Sequence, residues 1–427
     1  MSIYSLKYGK GEVSFSLDEE VTILKGHPTA PICDIPAALC ASLETPIDSP
    51  AFKDYICPTD TVALIISDMS RFWMRQDLVI PHLIRYMENI CKLPAENITI
   101  IVANGTHTGG SETELRTLVT DEVFDRVKVI NHDCDAPDLV FIGTTSFGTE
   151  VCVNPVAANA DKVVCLGACT HHVMAGYGGG RKSILPGISG RSTIRQNHLH
   201  SLDLAVPRSN PLIGNGITWG NPLNEDMCQA AALMKSLYMV NLVMNADMKL
   251  AAIYSGNWLT SWQAGCMAVN DIYSVPINRR ADAIIVSCGG YPKDMSLYQG
   301  TKTIDNVESG LKPGGTLIIA IEAIDGGGPA EYFHWIDPLK EGRLYEALKA
   351  DFTIPGYVFF LNCEQASRYR IMLCTSISPE IITPMGIEAY PDMDTLLKNA
   401  DLSGKDIFLI PNGATVIPTL TGGHDAE

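Results

Sequence analysis

Short runs of β-branched and aliphatic residues recur along the chain, separated by stretches whose apolar residues fall at helical spacing. Thr61–Ser67 (TVALIIS) reads as a buried strand, and Ile98–Ala103 (ITIIVA) as the next. Between them, over Gln76–Leu93, the residues Val79, Ile80, Leu83, Ile84, Met87 and Ile90 lie on one helical face. Ser111 and Glu114 form a capping box that opens a further helix, and Lys162–Gly167 is a third strand. Tyr238–Val243 and Leu250–Tyr254 flank Asn245-Ala-Asp247 as a hairpin, followed by a helical stretch over Leu259–Tyr273. Pro276 and Arg279-Arg280 mark a junction, after which a fresh unit runs from Ala283–Ser287, through a turn at Lys312–Gly315, to Thr316–Glu322, with a late strand at Phe408–Ile410. This alternation predicts an α/β fold of two domains, each built on a mostly parallel sheet. The predicted boundaries are 1–270 and 275–427, with an active site in the crevice between the domains.

Composition narrows the class. A chain of 427 residues, 46% hydrophobic and 19% charged, is globular and too long for one ordinary core. No apolar run approaches the roughly 20 residues that span a bilayer, and the N-terminal residues lack the apolar core of a signal peptide. The net charge of −17 repels phosphate backbones, so neither nucleic acid nor a membrane is an expected partner. The 13 cysteines are odd in number and form no C-x-x-C pair, which fits buried thiols in a reducing cytoplasm. Cys165 and Cys169 read as core-lining.

The polar clusters fall at strand ends. Thr61–Ser67 ends in Asp68-Met-Ser-Arg71, Ile98–Ala103 in Asn104-Gly-Thr-His107, and Lys162–Gly167 runs on to Thr170-His171-His172. Ala283–Ser287 ends in Gly289-Gly-Tyr-Pro-Lys-Asp294, with Tyr298, Gln299 and Lys302 beyond. Ligands of open α/β sheets sit at the carboxyl ends of strands, so these clusters are expected to converge. Gly176-Tyr-Gly-Gly-Gly-Arg-Lys182-Ser183 is glycine-rich, but Arg181 stands where a Walker motif requires glycine. Three consecutive glycines still fit a backbone that approaches an anion closely. Five of the ten histidines, at 107, 171, 172, 198 and 200, lie at strand ends or beside this loop, which favours histidine chemistry.

Together these motifs resemble the signature of the nickel-dependent lactate racemase family. The central match is His172-x9-Lys182-Ser-Ile-Leu-Pro-Gly187, followed by Asn197-His198. Asp68-x-x-Arg71, Gly105-Thr-His107, Gly143-Thr-Thr-Ser-Phe-Gly148 and Tyr298-Gln299-x-x-Lys302 match in the same order, over about residues 60 to 410. The resemblance implies a nickel-pincer nucleotide (pyridinium-3-thioamide-5-thiocarboxylic acid mononucleotide nickel) attached covalently to Lys182, with His198 as the protein's nickel ligand. It implies racemisation or 2-epimerisation of a 2-hydroxy acid by reversible hydride transfer, with His107 and His172 as the two bases. Arg71, Tyr298, Gln299 and Lys302 would orient the substrate. Asp68 would contact the cofactor ribose, with Arg71, Gly179, Gly180 and Ser183 also on the cofactor side and the loop and Ser183 near its phosphate. His200 has no role in the pattern. The implied partners are the hydroxy acid and the proteins that synthesise the cofactor.

The sequence departs from the pattern at several points. Arg71 is followed by Phe72-Trp73-Met74-Arg75 in place of prolines and small polar residues, and Thr108 follows His107. His171 stands in place of a proline, and Tyr357 near the place of a tryptophan. These changes reshape the pocket without removing a catalytic residue, so the resemblance does not carry lactate over as the substrate. Two alternatives stand beside the racemase. One is a protein that holds the nickel nucleotide without turnover, which needs Lys182 and His198 but not both His107 and His172. The other is a metal-dependent hydrolase using His171, His172, His198 and His200.

Overall fold

In the computed structural model, which describes Ser2–Thr421, the chain folds as two compact α/β units. A central unit takes Pro28–His200 and Leu212–Ile272, and a flanking unit takes Met1–His27, Ser201–Pro211 and Tyr273–Glu427. The units are therefore not the continuous pieces 1–270 and 275–427. The N-terminal residues leave the first half because Val21–Ile23 pairs in parallel with Ile407–Ile410 as an edge strand of the flanking sheet.

The central sheet has six strands in the order Leu250–Asn257, Leu237–Met244, Lys162–Cys169, Val62–Ser67, Ile98–Ala103, Lys128–Asn131. All neighbours are parallel except the first pair, which is the expected hairpin. The strand order reverses between Val62–Ser67 and Lys162–Cys169, so the carboxyl ends of these two strands open a crevice where ligands bind in such sheets. Val62–Ile66 is buried throughout, as is expected of a parallel strand covered on both faces.

The expected helix over 76–93 is shorter, Ile80–Asn89, with Pro81 in its first turn, where a missing N–H costs nothing. It packs Ile80, Leu83, Ile84 and Met87 into a core with Leu64, Ile66, Ile100 and Val102. Gln76–Leu78 before it is a 3-10 turn instead. The buried Gln76 side chain accepts from Ser67 N (3.2 Å) and donates to Ser67 O (2.8 Å), tying the turn to the end of the strand that carries Asp68. The Ser111–Glu114 capping box is present.

The flanking sheet is entirely parallel, in the order Ile387–Tyr390, Arg370–Cys374, Leu311–Ala320, Ala281–Ser287, Ile407–Ile410, Val21–Ile23. The predicted turn at 312–315 lies inside the long strand, where the register shifts opposite Ala281 and Ala283. Cys165 and Cys169 are buried in the core, and all thirteen cysteines are free, Cys33 and Cys57 being exposed. Among the described residues no helix is long and apolar enough to cross a membrane.

Candidate active site

The carboxyl end of Val62–Ser67 delivers Asp68, and the turn after Ile98–Ala103 delivers His107. The two meet: His107 Nδ1 lies 2.6 Å from Asp68 Oδ2, while Ser70 Oγ donates to Asp68 Oδ1 at 2.7 Å. Burial opposes charge on Asp68. The bonds from His107 and Ser70, with the charges of His107 and Arg71, outweigh burial and hold the carboxyl below its ordinary range. With Asp68 taking the Nδ1 proton, the His107 lone pair resides on Nε2, on a half-exposed ring. Arg71 is exposed and folds back on Ser70, its Nη1 3.2 Å from Ser70 Oγ.

A second pair forms beyond the end of Lys162–Cys169. His171–His172 and Gly176–Tyr177 make a two-residue ladder whose turn brings the glycine-rich loop back beside the strand. His172 Nδ1 faces Met174 N and Ala175 N, both at 3.2 Å, and its Nε2 lies 2.9 Å from Lys182 Nζ. His198, in the helix Arg191–His198, donates Nδ1–H to Ile194 O at 2.9 Å, leaving its lone pair on Nε2. Burial and then the neighbouring Lys182 ammonium pull its pKa down to about 3, so the imidazole is neutral, the form that ligates metals. A soft-sulfur nickel centre completed by one imidazole fits this donor.

The adjacent cation is not available to an anion. Arg181 is fully buried and donates to Tyr177 O and Ala175 O (each 2.7 Å) and to Asn224 Oδ1 (2.9 Å), and it stacks on Trp262 at 4.0 Å. The glycines are explained by the same packing. A Cβ on Gly179 (φ +69°) would come 2.7 Å from Ala168 O, and one on Gly180 (φ +52°) 2.5 Å from the Trp262 ring. The close approach that the glycine run permits is thus to the protein's own strand and indole. Ser183 Oγ points toward the strand at Cys165 and Gly167.

The four histidines of the hydrolase alternative do not gather. His171 turns to Asn270 (2.9 Å) and packs on Tyr177, and burial pulls its pKa down to about 4. His200 packs edge-on against Phe147, 3.8 Å from buried Asp226. Among the described residues, the one cluster of His, Cys, Asp or Glu close enough to hold an ion is Asp133, Cys134 and Asp135.

Sequence reasoning missed the role of Asp226. It accepts from Thr145 Oγ1 (2.5 Å), Thr149 Oγ1 (2.8 Å) and Asn197 Nδ2 (2.8 Å), anchoring the Gly143–Gly148 turn to the helix that carries His198. Its signal was Thr145 inside that motif and Thr149 just after it, whose buried hydroxyls need an acceptor. In the flanking unit, Tyr298, Gln299 and Lys302 come together where two short helices, Leu297–Gly300 and Lys302–Val307, adjoin. Lys302 Nζ donates to Gln299 Oε1 at 3.0 Å and lies 4.1 Å from the centre of the Tyr298 ring.

Residues 8–208 match the lactate racemase N-terminal domain and residues 277–418 the lactate racemase C-terminal domain. A lactate racemase of Thermoanaerobacterium thermosaccharolyticum is 28% identical over 431 residues, covering 98% of this chain and 99% of that protein. One from Lactiplantibacillus plantarum is 28% identical over 386 residues, covering 88% of this chain and 89% of its own. The structure of the T. thermosaccharolyticum lactate racemase apoprotein superposes with a TM-score of 0.87 at 26% identity, covering 98% of this chain and all of that one. A Thermotoga maritima protein shares the fold at a TM-score of 0.62 and 18% identity, over 90% of this chain and 96% of its own. With both domain models matched in order and relatives aligned over nearly the whole length, the chain belongs to the lactate racemase family, a family of isomerases.

Proposed function

We propose that this chain racemises or epimerises a 2-hydroxy acid by reversible hydride transfer, with a nickel-pincer nucleotide attached to Lys182 and liganded by His198. The observation that carries the reading is geometric: His107 pairs with Asp68 at 2.6 Å beyond one strand of the switch point, and Lys182 Nζ lies 2.9 Å from His172 Nε2 beyond its neighbour. When bound, the nucleotide supplies an electrophilic ring carbon that accepts hydride, as nicotinamide does.

The chain's own residues then handle protons and position. Loss of hydride from Cα is favoured once the hydroxyl proton has left, so a base must face that hydroxyl. His107 is equipped for that role because Asp68 fixes its tautomer, directs Nε2 outward and stabilises the imidazolium that forms. His172 is assigned as the second base, a role that requires the tautomer with its proton on Nδ1 and its lone pair on Nε2, the nitrogen 2.9 Å from Lys182 Nζ. One histidine would take the hydroxyl proton and the other would return it on the opposite side of the substrate. Arg71, Gln299 and Lys302 are assigned to the substrate carboxylate, with Tyr298 beside them. Gly179, Gly180 and Ser183 are assigned to the nucleotide side as backbone and hydroxyl contacts. The reading carries with it a cytoplasmic setting, a dependence on cofactor-synthesis proteins and a small-molecule partner. Neither the hydrolase nor the non-catalytic holder is favoured by an observation: no three of the four histidines bring their ring nitrogens within 4.8 Å of one another, and Asp68 holds His107 in the tautomer a base needs.

The test is chiral chromatography of the nickel-loaded protein against a panel of 2-hydroxy acids, with nickel measured in the same preparation. Interconversion of at least one enantiomeric or epimeric pair is expected. Full nickel occupancy without turnover of any member would point to the non-catalytic holder, and tight zinc without nickel to the hydrolase.

A further inference from the structure

The helix Pro222–Ala232 carries none of the residues assigned to the reaction, yet its N-terminal half grips the neighbours of three of them. It opens with Asn221 as N-cap, whose Oδ1 accepts from Asn224 N at 3.0 Å, and with Pro222 at the first helical position. With its oxygen so engaged, the Asn221 amide donates from Nδ2 to Met174 O and Ile217 O, each at 2.9 Å. Met174 N faces His172 Nδ1 at 3.2 Å, so the N-cap and the His172 ring meet opposite ends of one residue. Asn224 Oδ1 accepts from Arg181 Nε at 2.9 Å, and Arg181 precedes Lys182 in the turn Gly180–Ser183. Asp226 Oδ2 and Leu223 O both accept from Asn197 Nδ2, at 2.8 and 3.1 Å, and Asn197 precedes His198.

Successive residues of a helix are turned by about 100°, so Asn224 and Asp226, two apart, leave it on nearly opposite sides. The helix accordingly packs against both the turn of Lys182 and the helix Arg191–His198. Neither grip is free to swing. Asn224 Nδ2 is spent on Thr218 O (3.0 Å), and Asp226 is held from a further side by Thr145 Oγ1 (2.5 Å) and Thr149 Oγ1 (2.8 Å). Asn221, Asn224, Asp226, Arg181 and Asn197 are all buried, where a lost partner is not replaced by solvent. Fixing the residue beside a functional one fixes the backbone from which the functional side chain departs. We propose that Asn221, Asn224 and Asp226 are positioning residues: through Met174, Arg181 and Asn197 they set the mutual placement of His172, Lys182 and His198. The inference rests on the racemase reading above and adds to it residues that the reading leaves out.

If one helix sets three placements separately, three substitutions should give three different defects. The full chain is loaded by the cofactor-synthesis proteins. Growth of the Lys182 adduct is followed by intact mass, nickel loss by transfer to a chelator, and the stability of each unloaded chain by denaturant unfolding. Asp226→Asn keeps the shape but turns one accepting oxygen into a donor. It should keep the adduct and speed nickel loss about 10-fold or more, the scale on which partners behind metal ligands act. Asn224→Ala should slow adduct formation about 10-fold or more, while adducted chains lose nickel at the parent rate. Asn221→Ser keeps a capping oxygen and loses the bond to Met174 O. It should lower kcat about 10-fold or more with KM, adduct and nickel loss at parent values. Should Asp226→Asn fail to fold, Thr149→Val removes one donor to the same carboxylate and should act likewise, with Thr149→Ser restoring the parent rate. Readouts that shift together in proportion to lost stability would mark the helix as merely structural and overturn the inference. Any variant that leaves its own readout at the parent value also overturns it. A parent chain that acquires no adduct at Lys182 overturns the racemase reading, and the inference with it.

Discussion

The two units hold different buried titratable groups off their ordinary range. The central unit buries imidazoles: His132, His171, His198 and His200 all have pKa values drawn down, in each case chiefly by burial. The flanking unit buries acids. Asp305, held by Gln365 at 2.9 Å, and Glu308 beside Arg368 are both pushed up, again chiefly by burial. Neutral imidazoles can ligate metals and accept protons, which accords with the proposal of base and metal-ligand roles in the central unit and of substrate contacts by Gln299 and Lys302 in the flanking unit.

The strongest way to break this division is to compare Lys182→Ala with Lys302→Gln. The first should abolish cofactor attachment and all turnover, seen as loss of the mass adduct and of nickel. The second should keep the adduct and raise KM. If Lys302→Gln also loses the adduct, the flanking unit does more than bind substrate. Next in size, His107→Ala and His172→Ala should each lower racemisation by about 100- to 10,000-fold in both directions, because every turnover uses both hydroxyl positions. Chiral chromatography at matched nickel content reads this, and near-parental rates in either variant would remove that histidine from the pair.

Stability offers two smaller tests. Arg181→Leu leaves Tyr177 O, Gly179 O, Ala175 O and Asn224 Oδ1 without this donor and should cost about 1–3 kcal/mol for each acceptor left unpaired, read by denaturant unfolding. A cost below about 1 kcal/mol would mean that the loop does not depend on this side chain. The smallest effect is in pH. Between about 6.5 and about 4, the unfolded chain protonates His171 and the folded unit does not, so the central unit loses stability as pH falls through that window. The flanking acids are protonated in the fold above the ordinary 3.8 and 4.5, so that unit loses stability as pH rises from there. Hydrogen exchange across pH 4 to 7 should show the two trends with opposite sign. His171→Phe should flatten the first trend alone, and parallel trends in both units would discard the comparison.

Much of this architecture was legible because buried parallel strands are nearly pure aliphatic runs, as in Thr61–Ser67 and Ile98–Ala103, and because strand ends expose polar clusters. What was not legible depends on distant pairing. Val21–Ile23 is short and exposed in part, and only its partner Ile407–Ile410 makes it a strand. The chemistry of single side chains was also hidden wherever two residue types share a signature. Asp68 was expected on a ribose and is found orienting His107. Arg181 beside Lys182 resembles an anion-binding pair, yet Trp262 and four acceptors, invisible to local reading, bury it.

The pairing of Val21–Ile23 with Ile407–Ile410 has a consequence for the order of synthesis. The central unit is complete in sequence once Ile272 has been made, and it can close while the remainder is still emerging. The flanking unit cannot. Its edge strand Val21–Ile23 precedes the central unit in the sequence and must wait, unpaired, for Ile407–Ile410, which follows that unit. The ribosome thus releases a folded domain tethered at both ends to an unfinished one. During that interval the nascent N-terminal segment is the part of the chain most exposed to wrong partners.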